Sequence, residues 1–314
     1  MSVDVLDRPE RPESTYDQAR ARFEALLRAD TDAVDPRSRS RLESPGWRTR
    51  RAIVFLHGLT NSPQQFAALS ARFVARGYSV FIPRMPYHGY LDRMTTDHAQ
   101  LHASQLIDVT ADAVDLAAGL ADEVSVSGIS LGGVLAIWAA QYRSVALAAP
   151  IAPAIGLPVV PAAVTQLLVG ALGRLPNRFI WWDPRYKQKL PGPEYAYPRF
   201  STHALVEAQR LATALMESAR QAPPRAAEVW IVSNAADMAV SNAASAELVR
   251  RWRAAGANNV HTFQFPRHLK LFHDLVDPLQ PNAQPDLVHP VLEQILAEGR
   301  SPAELRRPVG RNVA

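Results

Sequence analysis

Two hydrophobic patterns alternate along this chain: short continuous apolar runs, and longer stretches in which apolar residues recur every three or four positions. The run at residues 52–56 is apolar throughout, which is typical of a strand buried on both faces of a parallel sheet. The longer, amphipathic stretches predict helices. We therefore predict strands at residues 52–56, 78–83, 124–126, 145–149, 229–233 and 260–265, and helices at residues 16–29, 63–77, 97–120, 131–142, 162–172, 202–221, 243–256 and 290–297.

The alternation of strand and helix predicts an α/β fold, with a mostly parallel central sheet and helices on both of its faces. The alternation lapses over residues 151–224, where Pro, Trp and Tyr are frequent, and an insertion of this size predicts a cap over one sheet edge. The expected organisation is an N-terminal tail and helix at 1–45, a core at 46–150, the cap at 151–224, the second part of the core at 225–298 and a C-terminal tail at 299–314.

Composition narrows the class of protein. The chain has 314 residues, of which 47% are hydrophobic and 20% charged, so one large domain with an inserted subdomain is favoured over two independent ones. The formal net charge is only +4, and no helix or strand face is lined with arginines and aromatics. These features argue against nucleic acid as a partner.

The chain contains no cysteine, which excludes disulfides, thiolate metal sites and a cysteine nucleophile and suits a reducing cytoplasm. The N-terminus lacks an apolar core of signal-peptide length, so we expect a cytoplasmic protein. Residues 144–173 carry no charge, but four prolines interrupt them, and we expect no stable membrane insertion. Residues 1–14 are rich in proline and charge and predict disorder.

A nucleophile-elbow pattern lies where the third of these strands along the chain, at residues 124–126, would turn into a helix. It consists of Gly128, Ser130 and Gly132 in the spacing Gly-x-Ser-x-Gly. In this pattern the serine occupies a strained turn, and the two glycines let strand and helix approach closely. A chance match in a Gly- and Ala-containing turn is the alternative, but the flanking strand and helix favour a nucleophilic serine.

A serine nucleophile needs a histidine base and a carboxylate, and in an open parallel sheet both should follow later strands. The loop after residue 149 has no carboxylate, whereas the loop after residue 233 contains Asp237. We therefore assign Asp237 as the acid, with an ordinary turn residue as the alternative.

Nine histidines are candidates for the base. His57 and His88 each precede a glycine and are expected to be structural. His268 and His273 both follow the last predicted strand, and we favour His273 because its longer loop lets it reach back to the serine, keeping His268 as the alternative. The oxyanion hole is expected to use the backbone N–H groups of Leu59 and Leu131.

These motifs resemble those of the α/β-hydrolase family, and within it bacterial carboxylesterases and monoacylglycerol-lipase-type hydrolases. The resemblance covers residues 50–298 and implies Ser130 as nucleophile, Asp237 as acid, His273 as base and Leu59 and Leu131 as oxyanion donors. The chain departs from the family pattern in lacking a glycine before Asp237 and in carrying a segment at 181–184 without a counterpart. The residues that carry the resemblance are His57 to Pro63, Pro86 to Gly89, Gly128 to Gly133, Asp237 and His273-Asp274.

The expected reaction is hydrolysis of a small-molecule carboxylic ester, without a cofactor or metal, because neither a metal-binding helix motif nor a phosphate-binding glycine loop occurs. Hydrolysis of an amide, lactone or carbon–carbon bond, acyl transfer, and non-catalytic binding on the same fold are the alternatives. The apolar residues of the cap would either line an acyl pocket or form the cap's own core. They are Leu167, Leu168, Val169, Leu172, Phe179, Ile180, Trp181 and Trp182.

Overall fold

The computed structural model describes residues 6–156, 169–187 and 191–300. Its longer helices are α1 (Tyr16–Ala29), α2 (Ala67–Ala75), α3 (Ala103–Leu120), α4 (Leu131–Tyr142), α5 (Thr202–Gln221), α6 (Asn242–Ala254) and α7 (Pro285–Glu298). Its strands are β1 (Arg41–Glu43), β2 (Thr49–Leu56), β3 (Ser79–Ile82), β4 (Ala121–Ile129), β5 (Leu147–Ile151), β6 (Phe179–Trp181), β7 (Arg199–Ser201), β8 (Glu228–Asn234) and β9 (Val260–Phe265).

Seven strands form the central sheet in the order β1-β3-β2-β4-β5-β8-β9. β1 runs antiparallel to β3, and every other neighbouring pair in this sheet is parallel. The register pairs Leu56 with Gly128 and Gly128 with Pro150, so β2, β4 and β5 end side by side. The loops that follow these strands therefore lie at one edge of the sheet, where ligands bind in open α/β sheets.

Each face of the sheet is covered by a hydrophobic core. On one face α1, α3, α4, α5 and α6 contribute buried side chains, and on the other α2 and α7 do so. All residues of α4 except the last are buried, because this helix lies in the middle of the layer with α5 packed on it. A helix that is apolar all round is stable only in such a position.

The predicted strands and helices are confirmed over most of the described chain, as is the α/β fold class. The differences lie at element ends and in short strands. The predicted helix at 97–120 is divided into a 3-10 turn, Asp97–Gln100, and α3. Helix α7 begins with Pro285 and contains Pro290. The short strands β1, β6 and β7 were not predicted, since three residues are too few to show a period.

The region assigned to the cap contains a small two-stranded sheet of β6 and β7, followed by α5. Helix α5 packs against the helix that follows Ser130, and Tyr142 and Ser218 are joined by a hydroxyl–hydroxyl hydrogen bond of 2.7 Å. Residues 169–172 are helical as predicted, while the rest of the predicted helix at 162–172 lies outside the described residues. The division between cap and core at residues 151 and 224 stays a prediction.

The prediction of disorder for residues 1–14 is wrong for residues 6–14; residues 1–5 lie outside the described residues. Leu6 is buried, and its carbonyl oxygen accepts a 2.8 Å hydrogen bond from the Trp138 indole. The N–H of Arg11 donates to the Asp115 carboxylate at 3.0 Å. The composition of residues 6–14 does not reveal that they pack against the rest of the protein, because one buried leucine and a few backbone hydrogen bonds do not alter the mean polarity of the segment.

Within the described ranges, no helix is both long enough and apolar enough to cross a membrane.

Candidate active site

Ser130 occupies the sharp turn between β4 and α4 with φ 58° and ψ −113°. This is a strained conformation for a residue with a side chain. The turn is held by a 3.0 Å hydrogen bond from the Ser130 N–H to the carbonyl of Ile151. A Cβ at Gly128 would collide with the carbonyl of Gly132, and one at Gly132 would collide with the carbonyl of Leu56. Both predicted elbow glycines are therefore required by close backbone packing.

The two predicted oxyanion donors follow neighbouring strands. Leu131 is the first residue of α4, so its N–H has no acceptor one turn earlier and lies at the positive end of the helix dipole. Leu59 follows Gly58 in the turn after β2, and a Cβ at Gly58 would lie 3.7 Å from the carbonyl of Ile129. None of the hydrogen bonds recorded for the described residues uses the Leu59 N–H. Both turns thus lie against each other at the sheet edge.

The structure brings His273 and Asp237 together. The imidazole Nδ1 lies 2.8 Å from Asp237 Oδ2, while Oδ1 accepts the N–H groups of Ala239 at 2.8 Å and Val240 at 3.2 Å. The Asp237 side chain is inaccessible to solvent, and that of His273 is 25% exposed. With a carboxylate at Nδ1, the imidazole keeps its proton on that nitrogen, and Nε2 is the basic one.

The pKa of the Asp237 carboxyl reflects opposing effects. Burial acts to raise the pKa, but the hydrogen bond and charge of His273, together with the two backbone N–H donors, hold it below its ordinary value. Asp237 is thus ionised at neutral pH and can stabilise a protonated imidazole.

Sequence reasoning missed two side chains that hold the His273 loop, those of Asn234 and Gln65. Asn234, at the end of β8, donates from Nδ2 to the carbonyls of Leu271 at 2.9 Å and Phe272 at 3.0 Å. Gln65 donates to Asp274 at 2.8 Å. The sequence motif includes Asp274 but neither of these two amides, because a buried amide far away in the chain gives no local signal.

His268, the alternative base, lies on the 3-10 turn Arg267–Leu269 and is exposed. No hydrogen bond recorded for the described part of the chain involves its ring. The chain then turns at Lys270, which has φ 50°, before it reaches His273. The structure therefore pairs His273, and not His268, with Asp237.

His57 and His88 bond to backbone groups, as expected for structural histidines. His57 accepts the Met85 N–H at Nε2 and donates from Nδ1 to its neighbour's carbonyl. His88 donates from Nδ1 to the Pro86 carbonyl at 2.8 Å, so its Nε2 must accept the proton of His98 Nε2 at 3.2 Å. Burial lowers the pKa of all three rings, to about 4 for His88 and, with the neighbouring His88 ring contributing, to about 2 for His98. The three histidines are therefore neutral near pH 7.

Two residues close in the chain to the paired strands β6 and β7 contact the turn that contains Leu59. The Trp182 indole donates to the Thr60 hydroxyl at 2.9 Å, and the Tyr197 N–H donates to the Thr60 carbonyl at 2.7 Å. Thr60 has φ 67°. Trp182, which sequence analysis left without a role, thus bonds directly to the residue after Leu59.

In the described part of the chain, no group of three or more His, Asp or Glu side chains is arranged to hold a metal ion.

Comparisons with known proteins agree with this architecture. Residues 53–303 match the model of the alpha/beta hydrolase family. A thermostable monoacylglycerol lipase from Bacillus sp. (strain H-257) is 25% identical over 166 residues, which are 51% of this chain and 60% of that protein. The chain thus aligns with less than two thirds of this relative's length.

Among solved structures, this fold is similar to one reported for LipS and LipT, two metagenome-derived lipolytic enzymes, with a TM-score of 0.64 at 20% identity, covering 84% of this chain and 99% of the other. It is also similar to the monoacylglycerol lipase of Paleococcus ferrophilus, with a TM-score of 0.62 at 16% identity, covering 83% of this chain and 98% of that one. At these sequence identities, the two similarities concern the fold alone. Since the family model matches most of the chain, this protein belongs to the alpha/beta hydrolase family.

Proposed function

We propose that this protein is a serine hydrolase that cleaves carboxylic esters, with Ser130 as nucleophile, His273 as general base and Asp237 as the carboxylate that orients the base. The observation that carries the proposal is the 2.8 Å contact between His273 Nδ1 and Asp237 Oδ2. Ester hydrolysis is also the chemistry named for the relative and for the similar structures.

The proposed reaction passes through an acyl-enzyme. Ser130 Oγ attacks the ester carbonyl carbon while His273 Nε2 takes the hydroxyl proton. The carbonyl reforms, the bond to the alcohol oxygen breaks, and Nε2 gives its proton to the departing alcohol. Water, deprotonated by the same nitrogen, then attacks the acyl-enzyme, releases the carboxylic acid and leaves Ser130 protonated again.

Negative charge on the carbonyl oxygen is stabilised, in this proposal, by the N–H groups of Leu59 and Leu131. Helix α4 begins at Leu131, so its dipole favours the same anion. A donor of this kind typically contributes about 3 kcal/mol to the transition state. Because the donors belong to the backbone, they persist when the side chains are replaced.

A fluorophosphonate probe and p-nitrophenyl butyrate test the proposal. We expect the wild-type protein to hydrolyse the ester and to be labelled at Ser130, as located by peptide mass spectrometry. Hydrolysis that persists in the Ser130→Ala variant contradicts the proposal, and so does labelling at another serine.

The substrate class proposed is a monoacylglycerol or a similar ester with an apolar acyl chain. The relative's name supports this, as does the apolar composition of the cap. Val169, Leu172, Phe179 and Trp181 are half-buried, and Ile180 and Trp182 are exposed, so none belongs to a fully buried core; Leu167 and Leu168 lie outside the described residues. A p-nitrophenyl ester series from acetate to palmitate tests it, and maximal activity on acetate with a steep fall beyond butyrate contradicts it.

We also propose that residues 151–224 act as a cap on a core formed by residues 46–150 and 225–298. The hydrogen bonds from Trp182 and Tyr197 to Thr60 support contact between the cap and the site. Limited proteolysis is expected to cleave first within the cap and to leave the core intact. The cytoplasmic location expected from the absence of cysteine remains a prediction.

A further inference from the structure

The carboxamide of Gln65 connects the turn that contains Leu59 to the loop that contains His273. Gln65 belongs to the 3-10 turn Pro63–Phe66 and is 3% exposed. Its Oε1 accepts the Gly58 N–H at 2.8 Å, and its Nε2 donates to Asp274 Oδ2 at 2.8 Å. One side chain therefore bonds simultaneously to the turn after β2 and to the loop after β9.

The two partners determine the chemistry of this bridge. A backbone N–H can only donate, and a carboxylate oxygen accepts, so the group between Gly58 and Asp274 must present one acceptor and one donor. A carboxamide does so, and its orientation is dictated by the partners and not by the shape of the group. A carboxylate at residue 65 would satisfy Gly58 but would repel Asp274.

Both ends of the bridge lie one residue from a proposed functional group, since Gly58 precedes Leu59 and Asp274 follows His273. The Asp274 carboxylate is held firmly. Its Oδ2 also accepts from Gln280 Nε2 at 2.9 Å, and its Oδ1 accepts the N–H groups of Val276 and Asp277, each at 3.2 Å.

We infer that Gln65 is a positioning residue, which keeps the Leu59 N–H and the His273 imidazole at a fixed spacing across Ser130. The inference rests on the proposed function and adds to it a residue that does not touch substrate. Because the oxyanion donor and the base act together only in the transition state, loss of the bridge should lower kcat and leave KM nearly unchanged.

The experiment reverses the polarity of the bridge. Gln65→Glu places two carboxylates against each other, and the double variant Gln65→Glu/Asp274→Asn restores one donor and one acceptor with the roles exchanged. The Gln280 amide can rotate to accept from the new asparagine. The matched control is Gln64→Glu, because Gln64 Oε1 accepts from Arg41 at 2.8 Å and a carboxylate there keeps that contact.

We expect Gln65→Glu to lower kcat on p-nitrophenyl butyrate about 10- to 100-fold with KM changed less than about 3-fold. The double variant should recover to within about 5-fold of wild type, and Gln64→Glu should match wild type. Hydrogen exchange, measured by mass spectrometry over residues 57–66 and 271–280, should speed up in both segments in Gln65→Glu and slow again in the double variant.

A purely structural role predicts another pattern. If kcat falls only in proportion to the unfolded fraction, or if the double variant is no more active than Gln65→Glu, the positioning role is overturned. Failure of the proposed function is separately visible, because the wild-type protein would then resist the fluorophosphonate before any variant is compared. Faster exchange confined to residues 57–66 would also overturn the bridge.

Discussion

The imidazole Nδ1 of His273 lies 2.8 Å from Oδ2 of Asp237, although the two residues are 36 positions apart in the chain. β8 and β9 are parallel neighbours, so the loops that follow them lie at the same edge of the sheet as the turn at Ser130, which follows β4. This relationship underlies the predictions that concern activity.

Replacing Ser130 by alanine removes the proposed nucleophile. We expect ester turnover to fall at least about 10⁴-fold and fluorophosphonate labelling to disappear, with the circular dichroism spectrum unchanged. The fold should survive because alanine adds no atom to the turn. Residual turnover within a factor of ten of wild type would contradict the assignment.

His273→Ala and His268→Ala separate the two candidate bases. His273→Ala should reduce turnover at least about 10³-fold, since the nucleophile then lacks its base. His268→Ala should retain most activity, because His268 is exposed and the Asp237 carboxylate bonds to His273 instead. Steady-state kinetics on p-nitrophenyl butyrate decide between them, and the opposite ranking overturns the choice of base.

Asp237→Asn tests the orienting carboxylate. Oδ1 is required by the N–H groups of Ala239 and Val240, so the asparagine amide nitrogen would meet His273 Nδ1 and favour the tautomer with its proton on Nε2. Turnover should fall about 10³- to 10⁴-fold with little change in melting temperature. The exposed Asp286→Asn is the control, and equal activity in both variants would refute the role.

Gly132→Ala tests the close packing of the elbow. A Cβ there would collide with the carbonyl of Leu56 and approach that of His57 to 2.8 Å, and these are backbone atoms at the end of β2, which cannot rotate away as a flexible side chain could. We expect a loss of about 3 kcal/mol or more in the free energy of unfolding, measured by urea denaturation. Gly170→Ala is the control, since the nearest atom to a Cβ there is the flexible end of Arg174 at 3.9 Å.

The buried histidines predict a loss of stability in acid. His98 has a folded-state pKa of about 2 and His88 of about 4, whereas an unfolded histidine titrates near about 6.5. The unfolded chain therefore binds more protons below that pH, so the stability present above it is lost progressively as the pH falls.

His98→Gln keeps a donor for His88 but does not titrate. Between about pH 6.5 and 4 its free energy of unfolding should fall less steeply than that of wild type, by up to about 1.4 kcal/mol per pH unit. Urea denaturation at several pH values measures the difference. Parallel curves for the two proteins would show that His98 is protonated without cost in the folded state.

The choice between His273 and His268 shows where sequence reasoning reached its limit. Both follow the same strand, and His273 was favoured only by its longer loop and by the resemblance of His273-Asp274 to a family motif. The structure adds the left-handed turn at Lys270 and the hydrogen bonds from Asn234 to the loop, which direct residue 273 toward Asp237. No local pattern encodes either contact.

The sequence by itself determined the α/β fold, most of the elements and the elbow at Ser130, because hydrophobic periodicity and the Gly-x-Ser-x-Gly spacing can each be recognised within a short stretch of the chain. Only the tertiary structure decided which histidine meets Asp237, that Leu6 is buried, and that Gln65 bonds to Asp274 across 209 positions. Such contacts depend on how strand order and helix packing bring distant loops together, and their energies are shared among many residues. The residues next to such a side chain in the sequence therefore do not indicate which distant residue it contacts.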